Sequence, residues 1–250
     1  MQIGNGYGLQ VGKDIAIGRI PGPRLTGANP WYLNNTSLAS SLVAFWPLDE
    51  VSGNRMDRKG SNTLADNNTV TSAAGHTYPL AAEFVIANSE FLSAADSATL
   101  SSGNIDLWGA CWVYPSAVNV STCIVGKWHT TGNREWQLAQ SNANVVFQVS
   151  PDGTSTGNGA VTATNALTAN TWTLVVFYHD ATNNLLGISV DGGAFTTAAH
   201  TTGIFDSAAA FNIGRQASAA AYFGGRIQSV ALGKGYIPTQ ADAGFFLTMA

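Results

Sequence analysis

The acidic residues are the first candidates for chemistry, because glycoside hydrolysis by the retaining route needs two carboxyl groups about 5 Å apart. We expect such a pair to stand a few residues apart on one face of a strand. The chain has only four glutamates, and none belongs to such a run: Glu50, Glu83, Glu90 and Glu135. We interpret Glu135, which lies between Arg134 and Trp136, as a surface residue. The sequence therefore predicts that the protein is not an enzyme.

The other residues with catalytic or metal-binding potential also lack partners in the sequence. Four histidines stand in unrelated contexts, which we interpret as loops and strand ends: His76, His129, His179 and His200. There is no H-E-x-x-H zinc motif and no G-x-x-x-x-G-K-[ST] phosphate-binding loop. Cys111 and Cys123 have no further cysteine at C-x-x-C spacing, which speaks against a zinc site. We interpret both as small buried apolar residues, with a disulfide as the alternative.

Two tryptophans suggest binding rather than catalysis, because ligand sites are often lined by aromatic rings with a few polar groups beside them. Trp128 and Trp136 flank a predicted hairpin loop. This arrangement predicts a ligand-binding platform made of five side chains: Trp128, His129, Asn133, Arg134 and Trp136. In the alternative, the two indoles pack across the strands, hold the hairpin together and bind nothing.

Composition and charge exclude several classes of partner. Eleven basic residues stand against fifteen acidic ones, giving a formal net charge of −4, so we expect no nucleic-acid binding. No run of about 18 apolar residues occurs, so we expect no membrane span. The first residues lack the apolar stretch of a secretory signal, and Lys13 and Asp14 interrupt them. We therefore expect synthesis in a cytoplasm without export by a signal peptide.

The distribution of apolar residues predicts an all-β domain from residue 42 to about residue 246. Hydrophobic residues make up 45% of the chain and charged residues only 10%, and the abundant Thr, Ser, Asn and Gly favour strands and turns. Residues 171–178 are apolar on both faces, which predicts a central strand covered on both sides. Residues 83–86 and 90–92 flank a turn at 87–89 and predict a hairpin. Further strands are predicted at 42–46, 107–114, 123–128, 135–139, 145–149, 186–190, 211–215 and 225–232.

The order of these elements predicts an antiparallel two-sheet sandwich, because at least ten strands follow one another with no helix between them. A short helix is expected only in the tail, with Thr239 as its N-terminal cap. The first 37 residues differ, since glycine and proline punctuate them and they cannot bury a core of their own. We predict a domain boundary there, with a glycine-rich extended arm at 1–37 and the sandwich at 38–250.

The arm carries short alternating apolar pairs that could add a strand to the sheet edge of a partner. Its three basic residues and one acidic residue oppose the net negative charge of the rest of the chain. We therefore predict an assembly role in which the contacts come from seven residues: Ile15, Ile17, Arg19, Ile20, Arg24, Trp31 and Tyr32. The alternative is a terminus that has no partner.

Several short motifs, in a fixed order over about 200 residues, resemble the laminin-G-like domains of the concanavalin A-like lectin/glucanase superfamily. The resemblance implies a jelly-roll sandwich. The motifs are residues 43–50 (VAFWPLDE), 82–84 with 88–92 (AEF and NSEFL), 110–115 (ACWVYP), 124–127 (IVGK), 170–175 with 178–180 (NTWTLV and YHD), 188–193 (ISVDGG), 211–215 (FNIGR) and 222–227 (YFGGRI).

The resemblance also raises the question of calcium, which many such domains hold at the rim of the sandwich. Where an acidic residue is common in these domains, this chain has Gln228, and a neutral amide is a poor ligand for a hard cation. Asp49, Asp57 and Asp66 could gather near one loop, but they form no Asp-x-Asp cluster. We therefore predict no cofactor and no metal, with a structural calcium ion as the alternative.

These observations lead to two functional hypotheses, because the fold by itself does not determine function. In the first, the chain is a structural or adhesion protein of a bacteriophage virion, in the capsid decoration, collar or tail. Its arm, residues 2–37, would bind other virion proteins or copies of itself, while the lectin-like sandwich faces outward, where cell-surface glycans are possible ligands. In the second, it is a free carbohydrate-binding module. A glycosidase is the remote alternative.

Overall fold

The computed structural model describes residues 35–130, 132–216 and 221–248, all within the unit Trp31–Ala250. Strands dominate this part of the chain. The strands are β1 (Leu42–Trp46), β2 (Ala65–Asn67), β3 (Thr71–Ala74), β4 (Leu80–Phe84), β5 (Phe91–Ala94), β6 (Leu107–Pro115), β7 (Ser121–Trp128), β8 (Arg134–Ser141), β9 (Asn144–Val149), β10 (Gly159–Ala163), β11 (Thr173–Asp180), β12 (Leu185–Val190), β13 (Thr196–Ala199), β14 (Phe211–Ile213) and β15 (Gly225–Lys234). Two short α-helices, α1 (Thr36–Ser41) and α2 (Gln240–Phe245), lie at the two ends of the domain sequence. The expectation of a helix only in the tail is wrong, because Asn35 caps α1 by accepting a hydrogen bond from the amide of Leu38.

The strands form two antiparallel sheets, which confirms the predicted all-β sandwich. The first sheet has the order β13-β12-β11-β6-β15-β4-β3, with β1 also pairing to β15. The second sheet has the order β10-β9-β8-β7-β14-β5-β2. Some neighbours are consecutive in the chain, as in β13-β12-β11 and β10-β9-β8-β7, whereas others, such as β6 with β15 and β7 with β14, come from distant parts of it.

The strand β11 is covered on both faces, as its pattern predicts, and all eight of its residues are buried. Val175 and Phe177 belong to the core between the sheets, where the ring of Phe177 lies 5.7 Å from that of Trp136. Leu174 and Val176 belong to a second apolar cluster, to which α1 and α2 contribute residues. The two helices therefore cover the outer face of the first sheet.

The predicted hairpin between residues 83 and 92 is wrong. The strand β4 belongs to the first sheet and β5 to the second, so the turn between them crosses the sandwich. A 3₁₀ turn at Ile86–Asn88 makes this crossing, and Ser89 ends it in the left-handed region at φ +58°. The carboxylate of Glu90 accepts hydrogen bonds from the amide of Val85 and from Asn88 Nδ2, which holds the turn together.

Several elements carry no apolar signal strong enough to be predicted. The strands β2, β3, β10 and β13 are short and rich in Ala and Thr, and most of their residues are half-buried or exposed. They lie at or near the ends of the two sheets. Residues from Ile15 to Tyr32, to which the assembly role is assigned, lie outside the described residues, so the arm and its boundary stay predictions.

The two cysteines are both free and buried, as expected of small apolar residues. Burial raises the pKa of the Cys111 thiol to about 12 and also raises the pKa of Cys123, so neither is a reactive thiolate at neutral pH.

The tail helix α2 begins at the predicted cap and fastens both ends of the domain. Thr239 accepts a hydrogen bond from the amide of Asp242, whose carboxylate accepts one in return from the amide of Thr239. The same carboxylate accepts from Tyr236 Oη and from Asn35 Nδ2, both at 2.6 Å. Burial acts to raise the pKa of Asp242, but these hydrogen bonds outweigh it and hold the pKa below its usual value.

We predict that Asp242→Ala lowers the free energy of unfolding by about 1–3 kcal/mol at pH 7, because it removes hydrogen bonds to a charged acceptor. The lowered pKa stabilises the fold above the unfolded-state value near about 4, and this contribution is lost as the pH falls through the folded-state pKa. Urea unfolding at pH 7 and at pH 3 measures both effects. Exposed Asp206, as Asp206→Ala, serves as the control, and a difference for Asp242→Ala that persists unchanged at pH 3 contradicts the mechanism.

Candidate functional site

The loop predicted as a platform joins β7 to β8 and is closed by its own hydrogen bonds. The amide of His129 donates to the carbonyl of Asn133 at 3.0 Å. The guanidinium of Arg134 lies over the indole of Trp128, 5.5 Å from the ring centroid, and its Nε donates to the carbonyl of His129. The structure therefore brings Trp128, His129 and Arg134 together at one end of the second sheet.

The second tryptophan of the predicted platform is not at the surface. Trp136 is fully buried in the core between the sheets, with its ring 6.1 Å from that of Phe211. Trp128 is only 4% exposed. The packing alternative thus describes Trp136, and ligand binding by the loop stays a prediction that rests on His129, Asn133 and Arg134.

The interpretation of Glu135 as a surface residue is wrong, because its side chain is fully buried and paired with a buried lysine. Its Oε2 lies 2.9 Å from Lys127 Nζ, and neither side chain is exposed to solvent. Hydroxyl and amide groups of Ser102 and Ser207 donate to the two carboxylate oxygens. Lys127 Nζ also contacts Asp96 Oδ1 at 2.6 Å. Burying charges is costly unless they are paired and hydrogen-bonded, which this network achieves.

This network joins two loops to the second sheet. Asp96 and Ser102 lie in the segment between β5 and β6, and Ser207 lies in the segment between β13 and β14. Lys127 and Glu135 project from the neighbouring strands β7 and β8. Glu135 therefore has a structural role, because its two oxygens are already occupied by four hydrogen bonds and an ion pair.

We predict that Lys127→Met lowers the free energy of unfolding by about 3–5 kcal/mol, because it leaves the buried carboxylate of Glu135 without its cation. Arg58→Met is the control, since Arg58 pairs with Asp49 at 3.4 Å while about half exposed, 48%. Such an exposed pair contributes under about 1 kcal/mol. Chemical denaturation measures both variants, and equal losses would contradict a special role for the buried pair.

Gln228 has a structural role that a carboxylate could not perform. Its Oε1 accepts hydrogen bonds from the amides of His76 and Thr77 at 3.0 and 2.8 Å. Its Nε2 donates to the carbonyls of Tyr78 and Leu80. Because the side chain must both accept and donate, an amide is required here, and the loop that follows β3 is wrapped around it.

The acidic residues considered for calcium are engaged in local hydrogen bonds. Asp57 accepts from the amides of four residues, Phe45, Lys59, Gly60 and Asn62, and also from Asn62 Nδ2. Asp66 accepts from the amides of Gly53 and Val70. Across residues 35–130, 132–216 and 221–248, no three His, Cys, Asp or Glu side chains gather closely enough to hold a metal ion.

The histidines are less independent than the sequence suggests. The rings of His179 and His200 lie 6.0 Å apart and both are buried. Each is hydrogen-bonded to a backbone carbonyl, His179 Nδ1 to Ile105 and His200 Nε2 to Gly203. Burial lowers the pKa of His179, so it is neutral at pH 7. His76 instead lies on the outer face of the first sheet, where its ring is tilted against that of Trp112 at 4.2 Å.

One run of the sequence carries the letters of a nucleophile elbow, G-x-S-x-G, but not its structure. Residues 153–157 read Gly-Thr-Ser-Thr-Gly and lie in turns between β9 and β10. A nucleophile elbow stands instead between a strand and a helix. Asp152 caps the turn by accepting from the amide and hydroxyl of Thr154, both at 2.8 Å. The exposed Ser155 is therefore a loop residue.

A row of amide side chains crosses the outward face of the second sheet and was not found by sequence reasoning. Asn212 pairs in register with Gly126, Gly126 with Gln137, and Gln137 with Gln148. Directly paired residues present their side chains on the same face, and the adjacent Trp136 points into the core. We call Asn212, Gln137 and Gln148, with Gly126 between the first two, the amide row.

Glycine is required at position 126 of this row because β8 comes very close. A Cβ atom there would lie 2.6 Å from the carbonyl oxygen of Trp136 and 2.8 Å from the Cα atom of Gln137.

A cavity of about 270 Å³ lies on this face beside the amide row. Its lining is uncharged among the described residues and combines polar with small apolar side chains: Ser121, Thr122, Gln137, Ala139, Gln140, Ser141, Val146, Gln148, Gln216 and Ala221. Gln137 Nε2 donates to Gln148 Oε1 at 3.0 Å, whereas Gln137 Oε1 is buried with no hydrogen-bond partner. A buried acceptor without a donor is costly, so this atom is suited to a donor supplied by a ligand.

The described part of the chain contains no helix long and apolar enough to cross a membrane.

Comparisons with known proteins agree with this architecture. The family model described as the concanavalin A-like lectin/glucanases superfamily matches residues 92–235, more than half of the chain. No curated protein sequence matches the chain. Among solved structures, the binding domain of Paraclostridial Mosquitocidal Protein 1 has a TM-score of 0.66 at 9% identity, over 83% of this chain and 52% of that one. The binding domain of botulinum neurotoxin DC, in complex with rat synaptotagmin II, has a TM-score of 0.66 at 12% identity, over 83% and 51%.

A third similar structure differs in the share of its length that is covered. Domain 4 of AbnA, an extracellular arabinanase from Geobacillus stearothermophilus in complex with arabinotriose, has a TM-score of 0.61 at 18% identity. The similarity covers 82% of this chain and 97% of that domain. The chain thus spans about half of the toxin binding domains but nearly all of the arabinanase domain.

Proposed function

The chain belongs to the concanavalin A-like lectin/glucanase superfamily, and from that premise we propose that it is a non-enzymatic module that binds a carbohydrate on the outward face of its second sheet. The single observation that carries this proposal is the amide row beside a cavity, with Gln137 Oε1 buried and unpaired. Amide side chains both donate and accept hydrogen bonds, which matches the mixed donor and acceptor character of sugar hydroxyls.

The proposal that the protein is not catalytic rests on what surrounds its glutamates. Each of the four has partners within the fold: Glu50 with Arg55 and Met56, Glu83 with Arg226, Glu90 with Val85 and Asn88, and Glu135 with Lys127. A retaining glycosidase needs two carboxyl groups that face the same bound sugar. Asp96 and Glu135 share the partner Lys127, but Glu135 is fully buried, so these two carboxyl groups do not face a common ligand.

The similar structures support a binding role without determining the ligand. Two are binding domains of toxins, one of them in complex with synaptotagmin II, and the third is domain 4 of the arabinanase AbnA with bound arabinotriose. At identities of 9–18% these structures share the fold with this chain. Arabinotriose is therefore a reasonable first probe, together with a broad set of other oligosaccharides.

We predict that the full chain binds one or more immobilised oligosaccharides and that Gln148→Leu weakens this binding about tenfold, since it removes an amide from the row at similar volume. Glycan-array screening followed by calorimetry measures the affinity. Gln240→Leu is the matched control, because Gln240 belongs to α2 over the other sheet. An Arg134→Ala variant that loses binding while Gln148→Leu keeps it would place the site in the 129–134 loop and contradict the amide row. A blank array contradicts the function.

We further propose that the module is displayed on a bacteriophage virion, in the capsid decoration, collar or tail, where residues 2–37 bind other virion proteins or further copies of this chain. This proposal is supported by the composition of the arm, in which glycines separate short runs of apolar residues. It is also supported by the net positive charge of the arm, which is opposite to that of the rest of the chain. A free carbohydrate-binding module is the alternative, and it needs no partner for the arm.

If the arm assembles, we predict that the wild-type chain co-sediments with particles from phage-infected cells or forms an oligomer, whereas Ile15→Asp/Ile17→Asp remains at the monomer mass of 26.1 kDa. Burying two carboxylates in an apolar contact is the reason for the loss. Sedimentation with light scattering gives the mass. Val51→Asp is the control, because Val51 is 70% exposed on the sandwich itself. A wild-type chain that is monomeric and absent from particles contradicts the assembly role.

A further inference from the structure

The described lining of the cavity beside the amide row carries no charged side chain, although charged residues occur in the same strands. Within β7, β8 and β9 the charged residues are Lys127, Arg134 and Glu135. Lys127 and Glu135 are fully buried and paired with one another. Arg134 is at the first position of β8 and lies over the ring of Trp128. None of the three lines the cavity beside the amide row.

The nearest charge along the chain is also directed elsewhere. Arg215 precedes Gln216, which lines the cavity, but its guanidinium lies over the ring of Phe91, 4.1 Å from the centroid. An anionic group entering the cavity would therefore find amides and hydroxyls but no cation among the described lining residues. Desolvating an ion without a counter-charge is strongly unfavourable.

The unpaired atom on this face, Gln137 Oε1, is a hydrogen-bond acceptor, so the ligand must supply a donor. Gln137 is 7% exposed, its Nε2 is already used by Gln148, and its Oε1 is buried without a partner, so a ligand reaches Oε1 when the Gln137 side chain turns toward the cavity. A hydroxyl or an amide N–H satisfies such an oxygen, whereas a carboxylate or sulfate oxygen placed against it has no proton to donate.

The described lining also contains no aromatic ring, so stacking does not contribute to recognition there. Ala139 and Val146 are the apolar residues on the strands themselves, and both are small enough to leave the amides accessible. Hydrogen bonds and close fit over a neutral surface are the remaining source of affinity.

We infer that the ligand of this face is an uncharged carbohydrate, one of whose hydroxyl or acetamido groups donates a hydrogen bond to Gln137 Oε1. The inference rests on the proposed carbohydrate-binding function and specifies the class of glycan. Because the described lining holds no cation, glycans that carry sialic acid, uronic acid or sulfate at the same position are expected to bind more weakly. The binding of a neutral ligand is also insensitive to salt, because no charge pair is screened.

The experiment compares neutral oligosaccharides with the same oligosaccharides carrying one sialic acid, uronic acid or sulfate, using the full chain on an array and then in calorimetry. The expected result is binding of the neutral forms, at least about tenfold weaker binding of the acidic forms, and an affinity that is unchanged between 50 mM and about 500 mM salt. Gln137→Leu is expected to weaken neutral binding about tenfold. Gln240→Leu again serves as the control, and thermal melting confirms that each variant is folded.

The outcomes separate this inference from the function on which it rests. Preference for the acidic forms, or binding that weakens steeply with salt, overturns the inference while leaving carbohydrate binding in place. Neutral binding that Gln137→Leu leaves unchanged overturns the role of Oε1. Binding of neither class overturns the proposed function itself.

Discussion

The register of β8 against its two neighbours is the constraint on which the rest of the molecule depends. Side chains alternate between the two faces of a strand, so a slip by one residue exchanges the core face with the solvent face. In the observed register, Trp136 and Leu138 enter the core while Gln137 and Ala139 face outward. A shift of this register between Lys127 and Trp128 leaves Glu135 as an extra residue of β8, beside Lys127 at the edge of the core. The hydrophobic core and the amide row thus follow from one alignment, and the buried ion pair follows from the bulge at its end.

The buried ion pair and the amide row use polar groups in opposite ways. Around Glu135, both carboxylate oxygens accept hydrogen bonds, and these bonds hold two loops that are distant in sequence. On the amide row, Gln148 satisfies one half of Gln137 and leaves the other half open. A fully satisfied network makes the structure rigid. One acceptor without a partner in rigid surroundings favours ligand binding, because the protein has little conformational freedom to lose when a ligand supplies the donor.

Sequence patterns predicted the fold well wherever the signal was local. The two-faced apolar run of β11 and the Thr239 cap of α2 are both confirmed, since each depends on residues only a few positions apart. The hairpin at residues 87–89 was wrong because a turn between two apolar runs does not say whether the strands share a sheet. Glu135 was misjudged because its partners Ser102 and Ser207 stand 33 and 72 positions away. The amide row had a signal in Gln137 and Gln148, each of which stands between two apolar residues of its strand, but only the register aligns them with each other and with Asn212.

The conformation of the loop that follows β3 depends on the side chain of Gln228. An amide is two-sided, and here one side holds the amides of His76 and Thr77 while the other holds two carbonyls. A carboxylate at this position would place an acceptor oxygen against those carbonyl oxygens, which is unfavourable. The loop would therefore have to adopt another conformation before a cation could bind there. The residue at position 228 therefore determines the conformation of the loop that follows β3 as well as which groups at the rim remain for a ligand.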